Sequence, residues 1–235
     1  MPPWKAKPLK ADFFSVFKTP VDFFIVRHGR SEGNSAKVFQ GREESPLCEE
    51  GRLQAAARGR YFRTTFNDSG ANNNAGKTLL FSSPLGRARE TAEIMAKEAS
   101  LPEPVCKTEL LEMNLGIWSG KNLRQAQTED PGLWEEFMAR SWDAIPEAES
   151  SSDLYSRALI AWSMLRDAAL EYNAKNVIIV THGGLIQWLL KSTLQNHSWF
   201  PLLPISNCGL FKLHVEPGAK GVYMFWEEIN AQVHD

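Results

Sequence analysis

Two short runs, VDFFIVRHG at 21–29 and NVIIVTHGG at 176–184, are built alike: an apolar stretch stops abruptly at a polar residue, a histidine and a glycine. A strand with one wet face alternates apolar and polar residues. A nearly unbroken apolar run needs cover on both faces, as in a parallel sheet wrapped by helices. KTLLFSS at 77–83 is a third such strand, and a shorter one is predicted near Val105 to Thr108. Between the strands lie helical patterns. Residues 49–66 form one, weakened by Gly51 and Gly59. SPLGRARETAEIMAKEA forms another, with Ser83 placed as its cap and Pro84 in its first turn. The strongest pattern starts at Leu154 and lines up Ala158, Ala161, Trp162, Leu165, Ala169 and Tyr172 on one face. LIQWLLKST follows the second His-Gly strand, and two more strands are expected at Gly209 to Val215 and Val222 to Trp226. The alternation predicts an α/β fold: a three-layer α/β/α sandwich around a mostly parallel central sheet. NDSGANNNAG reads as a flexible connection, and the Trp-rich, proline-broken stretch 119–150 as short helices.

In open α/β sheets, ligands gather outside the carboxyl ends of the strands. Arg27-His28, Ser82-Ser83 and Thr181-His182 all occupy such ends, so groups more than 150 residues apart are expected to converge. A zinc reading of the two histidines fails on ligand count, because His197, His214 and His234 show no ligand spacing and no HExxH occurs. Arg27 is also a poor neighbour for a cation. Phosphoryl chemistry fits the same residues. A guanidinium matches phosphate oxygens bidentately, and Arg87 lies in the first turn of its helix, where the positive end favours an anion. An imidazole kept neutral among arginines retains a lone pair for attack on phosphorus. A second, protonated imidazole would stabilise the transferring oxygens, and an acid must protonate the leaving alcohol.

Four ordered blocks, RHGRSEGN (27–34), PLCEEGRLQA (46–55), FSSPLGRARETAE (81–93) and VTHGG (180–184), resemble the histidine phosphatases, the phosphoglycerate-mutase-like superfamily. LLEMNLGIWSG (110–120) is similar to that family's acid-bearing segment. The resemblance implies a phosphoglycerate-mutase-like sandwich over 21–235, with a helical cap insertion at about 119–153; residues 1–20, with their prolines, lysines and short aromatic patch, read as an extension that could cover the sheet, order at an interface or stay flexible. The resemblance further implies His28 as the nucleophile that becomes phosphohistidine, Arg27, Arg87 and His182 as the phosphoryl clamp, and Asn34 as an added phosphate contact. Glu112 resembles the proton donor and later base, and Gly183 the position where backbone approaches the phosphate. No metal or organic cofactor is implied; water suffices. Arg30 stands where the family carries Glu or Gln, Cys48 where Thr is common, and Ser119 where Glu is usual. Arg30, with Ser31 beside it, is therefore a candidate for substrate choice at the pocket mouth.

The expected activity is that of a phosphoric monoester hydrolase acting on a small phosphorylated metabolite. Two alternatives are mutase-type transfer between hydroxyls and a non-catalytic phosphate-ligand binding protein. A phosphoglycerate mutase needs basic residues for the substrate carboxylate. Residues 119–153 hold three cations (Lys121, Arg124, Arg140) against eight carboxylates, a balance of −5, which favours hydrolysis. GANNNAGKT nearly spells a nucleotide-binding loop, but its glycine is misplaced and it precedes a strand.

Composition narrows the setting. With 26 Lys and Arg against 28 Asp and Glu, the net charge of −2 offers no general attraction to nucleic acid or an acidic membrane. Three scattered cysteines without a CxxC argue for a reducing compartment, and the N-terminus lacks a signal-peptide core, so the expected localisation is cytoplasmic. Most tryptophans, Trp118, Trp134, Trp142, Trp162, Trp188 and Trp199 among them, read as packing in core and cap rather than as a ligand box. A homodimer face is compatible with the same tryptophan content.

Overall fold

A computed structural model describes residues 9–10, 12–67 and 77–233 of the chain. Its elements in chain order are β1 (Val21–Arg27), α1 (Glu32–Ser35), α2 (Glu49–Asn67), β2 (Lys77–Ser82), α3 (Gly86–Ala99), β3 (Val105–Cys106), α4 (Leu123–Glu129), α5 (Pro131–Arg140), α6 (Ser151–Glu171), β4 (Ala174–Thr181), α7 (Gly183–Thr193), β5 (Leu210–Gly218) and β6 (Gly221–Ala231). They form one six-stranded sheet in the order β3-β2-β4-β1-β5-β6. The first four strands of that order are mutually parallel, β5 pairs antiparallel with β1, and β6 antiparallel with β5. The mostly parallel α/β sandwich expected from the strand pattern is thus present.

The unbroken apolar runs have the cover they need. Phe23 and Ile25 of β1, with Val177 and Ile179 of β4, pack under α6 and α7. Their neighbours Phe24, Val26, Ile178 and Val180 point the other way, into the layer of α2 and α3. This alternation into two dry faces is why a central parallel strand carries no polar face.

Two details differ from the sequence reading. Helix α3 begins at Gly86, with Leu85 at its N-cap and no side-chain cap, so Ser83 and Pro84 precede it. The Ser83 hydroxyl is used elsewhere, as described below. Tyr172 is the C-cap of α6 and nearly half exposed (46 %), so it leaves the buried face that Leu154 begins. In the segment before β1, Leu9, Phe13, Phe14 and Phe17 are buried in the α6-side core. The Phe14 ring meets Trp162 edge-on at 5.8 Å and Phe23 at 5.7 Å. The connection expected to be flexible, and the loop resembling a nucleotide-binding motif, lie largely outside the described residues.

Residues 118–148 make a small separate core in which Trp118, Ala126 and Ile145 are buried, with Trp134, Phe137 and Trp142 packed against them. No helix among the described residues is long and apolar enough to cross a membrane.

Candidate active site

Register places the ends of three strands side by side. Arg27 of β1 is level with Thr181 of β4, and Ser82 of β2 with Val180. The ladder continues one step into the loops, since the amides of His28 and Ser83 donate to the carbonyls of Thr181 and Val180, both at 2.9 Å. Close backbone approach then fixes the turn after His28. A side chain at Gly29 would strike the Gly51 carbonyl, and one at Gly51 the Arg30 carbonyl. The helix-weakening Gly51 therefore lets α2 sit against the His28 loop. The Gly29 amide donates to Thr91 Oγ1 of α3 at 3.0 Å, one turn from Arg87.

His28 and His182 face each other with ring centroids 5.1 Å apart, and both are almost fully buried. His28 Nδ1 lies 2.7 Å from the Gly29 carbonyl. A carbonyl only accepts, so Nδ1 carries the hydrogen and Nε2 the lone pair. Burial, then the charges of Arg27 and Arg87, hold the His28 pKa well below 6.5. Burial, then the neighbouring His28 ring and the charges of Arg87, Arg27 and Arg157, do the same to His182. Two arginines and a dry environment thus oppose a positive charge on either imidazole while no anion occupies the pocket. His182 Nε2 is 2.8 Å from Ser83 Oγ, the partner that the capping assignment of Ser83 overlooked.

The arginines are steered by backbone carbonyls. Arg27 donates through Nη1 to Ile205 (2.6 Å), and Arg87 through Nη1 and Nη2 to Glu43 and Gly41, both at 2.7 Å. Among the described residues, the buried Nε atoms of both arginines and His182 Nδ1 have no hydrogen-bond partner. Buried donors left open around a neutral imidazole are uncommon in a purely structural cluster.

Glu112 reaches the same pocket from the segment after β3. That segment is tied to the end of β4 by Thr181 Oγ1, which donates to Leu110 (2.7 Å), and to α6 by Arg157 Nη1, which donates to Leu111 at 2.5 Å. The Glu112 carboxylate accepts from the amides of Met113, Gly184 and Leu185 at 2.8, 3.1 and 3.2 Å, thereby covering the first turn of α7. A Cβ at Gly184 would fall 2.4 Å from Glu112 Oε1 and 2.7 Å from Met113 Cγ and Sδ, so a side chain there would displace the Glu112 carboxylate, while one at Gly183 meets Arg27 at an ordinary 3.7 Å.

Asn34 lines the pocket too. Its Oδ1 accepts from the Ser31 amide and hydroxyl and from Asn207 Nδ2, leaving the Asn34 amide nitrogen to donate. Asn207 also donates to the His28 carbonyl at 3.1 Å. It sits in a turn without any motif, so sequence alone had no means of marking it. Ser31 is buried and caps α1. Arg30 turns outward to Glu50 (2.8 Å) and Ser35 and is absent from the pocket wall, so its charge does not stand at the mouth as expected. Cys48 donates to the Arg30 carbonyl, and Cys208, beneath His28, is pushed up to about 12 by burial and is inert.

The acidic balance of 119–153 also has less bearing than expected. None of its carboxylates lines the pocket, and Trp142 alone of that segment does. Topology does bring His214 together with Asp22 and Glu227, at the far end of β1 from His28, although no sequence spacing marked them. Lys212 already bridges the two carboxylates there. A second cavity, of about 320 Å³, lies under β2 and β3 and is lined by no histidine, cysteine or serine.

Arg27, His28, Asn34, Arg87 and Glu112 thus line one pocket, with His182 beside His28. The family model described as "Histidine phosphatase superfamily (branch 1)" matches residues 23–227. The "probable phosphoglycerate mutase GpmB" of Escherichia coli is 28 % identical over 192 residues, 81 % of this chain and 83 % of the relative. The mycobacterial glucosyl-3-phosphoglycerate phosphatase superposes with a TM-score of 0.74 at 25 % identity, covering 91 % of this chain and 100 % of that structure. YhfR of Bacillus stearothermophilus gives 0.71 at 25 %, with the same coverage. The chain belongs to the histidine phosphatase superfamily, branch 1.

Proposed function

We propose that this protein hydrolyses phosphate monoesters of small metabolites through a phosphohistidine formed on His28. The observation that carries the reading is the pair of buried, unpartnered guanidinium donors, Arg27 Nε and Arg87 Nε, with the unpartnered His182 Nδ1, around an imidazole held neutral. In the first step the Nε2 lone pair forms a P–N bond as the P–O ester bond breaks, and Glu112 gives the departing alkoxide its proton. In the second, Glu112 takes a proton from water as the water oxygen attacks phosphorus. The P–N bond electrons return to Nε2, which restores neutral His28 and frees inorganic phosphate. The clamp arginines and His182 neutralise or hydrogen-bond the equatorial oxygens in both steps. Asn34 adds a neutral donor.

The test is phosphate release from a panel of monoesters with chelator present, together with a search for acid-labile phosphate on the quenched protein. Chelator-resistant turnover is expected, with His28→Ala lowering it by about 10³-fold or more. Phosphate passing to a second hydroxyl instead of water would select the mutase reading. Neither release nor transfer would leave a binding protein.

A further inference from the structure

Beyond the clamp, the wall of the pocket changes character. The cavity holds about 340 Å³, at the lower end of the roughly 300–1,000 Å³ usual for small-molecule sites. Its basic groups are confined to the clamp residues Arg27, His28 and Arg87. The rest of the lining is largely apolar, with Phe39, Leu115, Trp142, Trp199, Leu202 and Leu203, and its polar side chains besides Glu112 are the uncharged amides Asn34, Gln40 and Gln187. Cations just outside are committed elsewhere: Arg42 to Glu149 and the Glu112 carbonyl, Arg157 to Glu149, and Arg30 to Glu50. Gln187 is also committed, donating to the Leu203 carbonyl (2.6 Å) and accepting from the Leu203 amide (3.2 Å).

The wall is built rather than incidental. The buried ammonium of Lys191 on α7 donates to the carbonyls of Ser198, Trp199 and Pro201 at 2.8, 2.7 and 2.9 Å. With Gln187 it pins the 198–203 loop across the mouth. On the facing side Trp142 is held edge-on against Phe39 at 5.2 Å.

We infer that the leaving group accepted by this site is an uncharged, apolar alcohol, so that the substrate class is hydrophobic phosphate monoesters rather than phosphorylated hydroxy acids or bisphosphates. A second anion on the leaving group would be desolvated against aromatic and aliphatic carbon with no cation to meet it. An alkyl or aryl group exchanges water for the same surface and gains. The inference rests on the hydrolase reading above and narrows its substrate, setting this chain apart from relatives whose names specify a phosphoglycerate.

The experiment measures kcat/KM for ethyl, butyl and hexyl phosphate beside 3-phosphoglycerate. The three alcohols have nearly equal basicity, so chain length varies burial and not intrinsic reactivity. A rise of roughly threefold to fourfold per methylene is expected until the cavity is filled, with 3-phosphoglycerate below butyl phosphate. Leu202→Arg, at an exposed wall position, is expected to flatten the slope and raise 3-phosphoglycerate; a slope left intact in L202R overturns the wall as its cause. A flat series, or 3-phosphoglycerate as the best substrate, with release still dependent on His28, overturns the inference and leaves the hydrolase reading standing. No release from any ester overturns the hydrolase reading itself.

Discussion

Gly184 marks how finely the site is dimensioned at the level of single residues. The carboxylate of Glu112 occupies the space a side chain would need, and two of its three amide contacts, from Gly184 and Leu185, join the acid to the start of α7. Gly184→Ala is expected to push Glu112 off these amides while leaving Arg27, His28 and Arg87 in place. Turnover of alkyl esters, which need a proton donor, should then fall by about 10²-fold or more, with p-nitrophenyl phosphate much less affected. Equal losses for both esters would refute a displaced acid. The residues with the clearest sequence signal here were those at strand ends, Arg27, His28 and His182, since an apolar run that stops in a charge is visible in one dimension. Arg30 was misplaced because its neighbours in sequence point into the site while its own partner, Glu50, comes from α2. Ser83 was misassigned for a similar reason: a serine before a helix suggests a cap, and only the approach of β4 supplies His182 as the competing partner.

Among the elements, the segment before β1 has the largest unexpected share in the core. Its prolines and lysines read as an extension, yet the Phe14 ring packs edge-on against Trp162 of α6 and tilted against Phe23 of β1. A contact of that kind has no local periodicity, because the segment follows the surface that the sheet and α6 create. Phe14→Ala is expected to cost about 3–5 kcal/mol in urea unfolding, the range for an aromatic removed from a close-packed core. A loss below about 1 kcal/mol would mean the segment is dispensable. Helices and strands with strong periods were legible in outline. Their exact starts were not, and α3 begins past the proline expected to open it.

For the molecule as a whole, burying two imidazoles near two guanidinium groups ties stability to pH. Both histidines have folded-state pKa values well below the 6.5 of an exposed imidazole. Below about pH 6.5 the unfolded chain binds protons that the folded one refuses, so stability must fall with acidification. The maximum slope is about 1.4 kcal/mol per pH unit for each histidine, and the penalty vanishes above the unfolded value. Melting temperatures of the wild type and a His28→Asn/His182→Asn double variant should therefore diverge in slope between about pH 6.5 and 5, with the variant shallower. Parallel curves would show that the buried pair does not carry the effect.

What the sequence alone determined is the layered α/β architecture and the identity of the groups brought to one edge of the sheet. Continuous apolar strands demand cover on both faces, and residues at their carboxyl ends have one place to go. The tertiary structure decided what surrounds them. It directed Arg27 and Arg87 by carbonyls from distant loops, turned Arg30 away, set Gly184 beneath Glu112, and folded 198–203 onto Lys191 to give the pocket an apolar wall. Apart from the Lys191 bonds, which span only 7 to 10 residues, those contacts join positions 20 to 178 residues apart, and no local pattern encodes which carbonyl a guanidinium will meet.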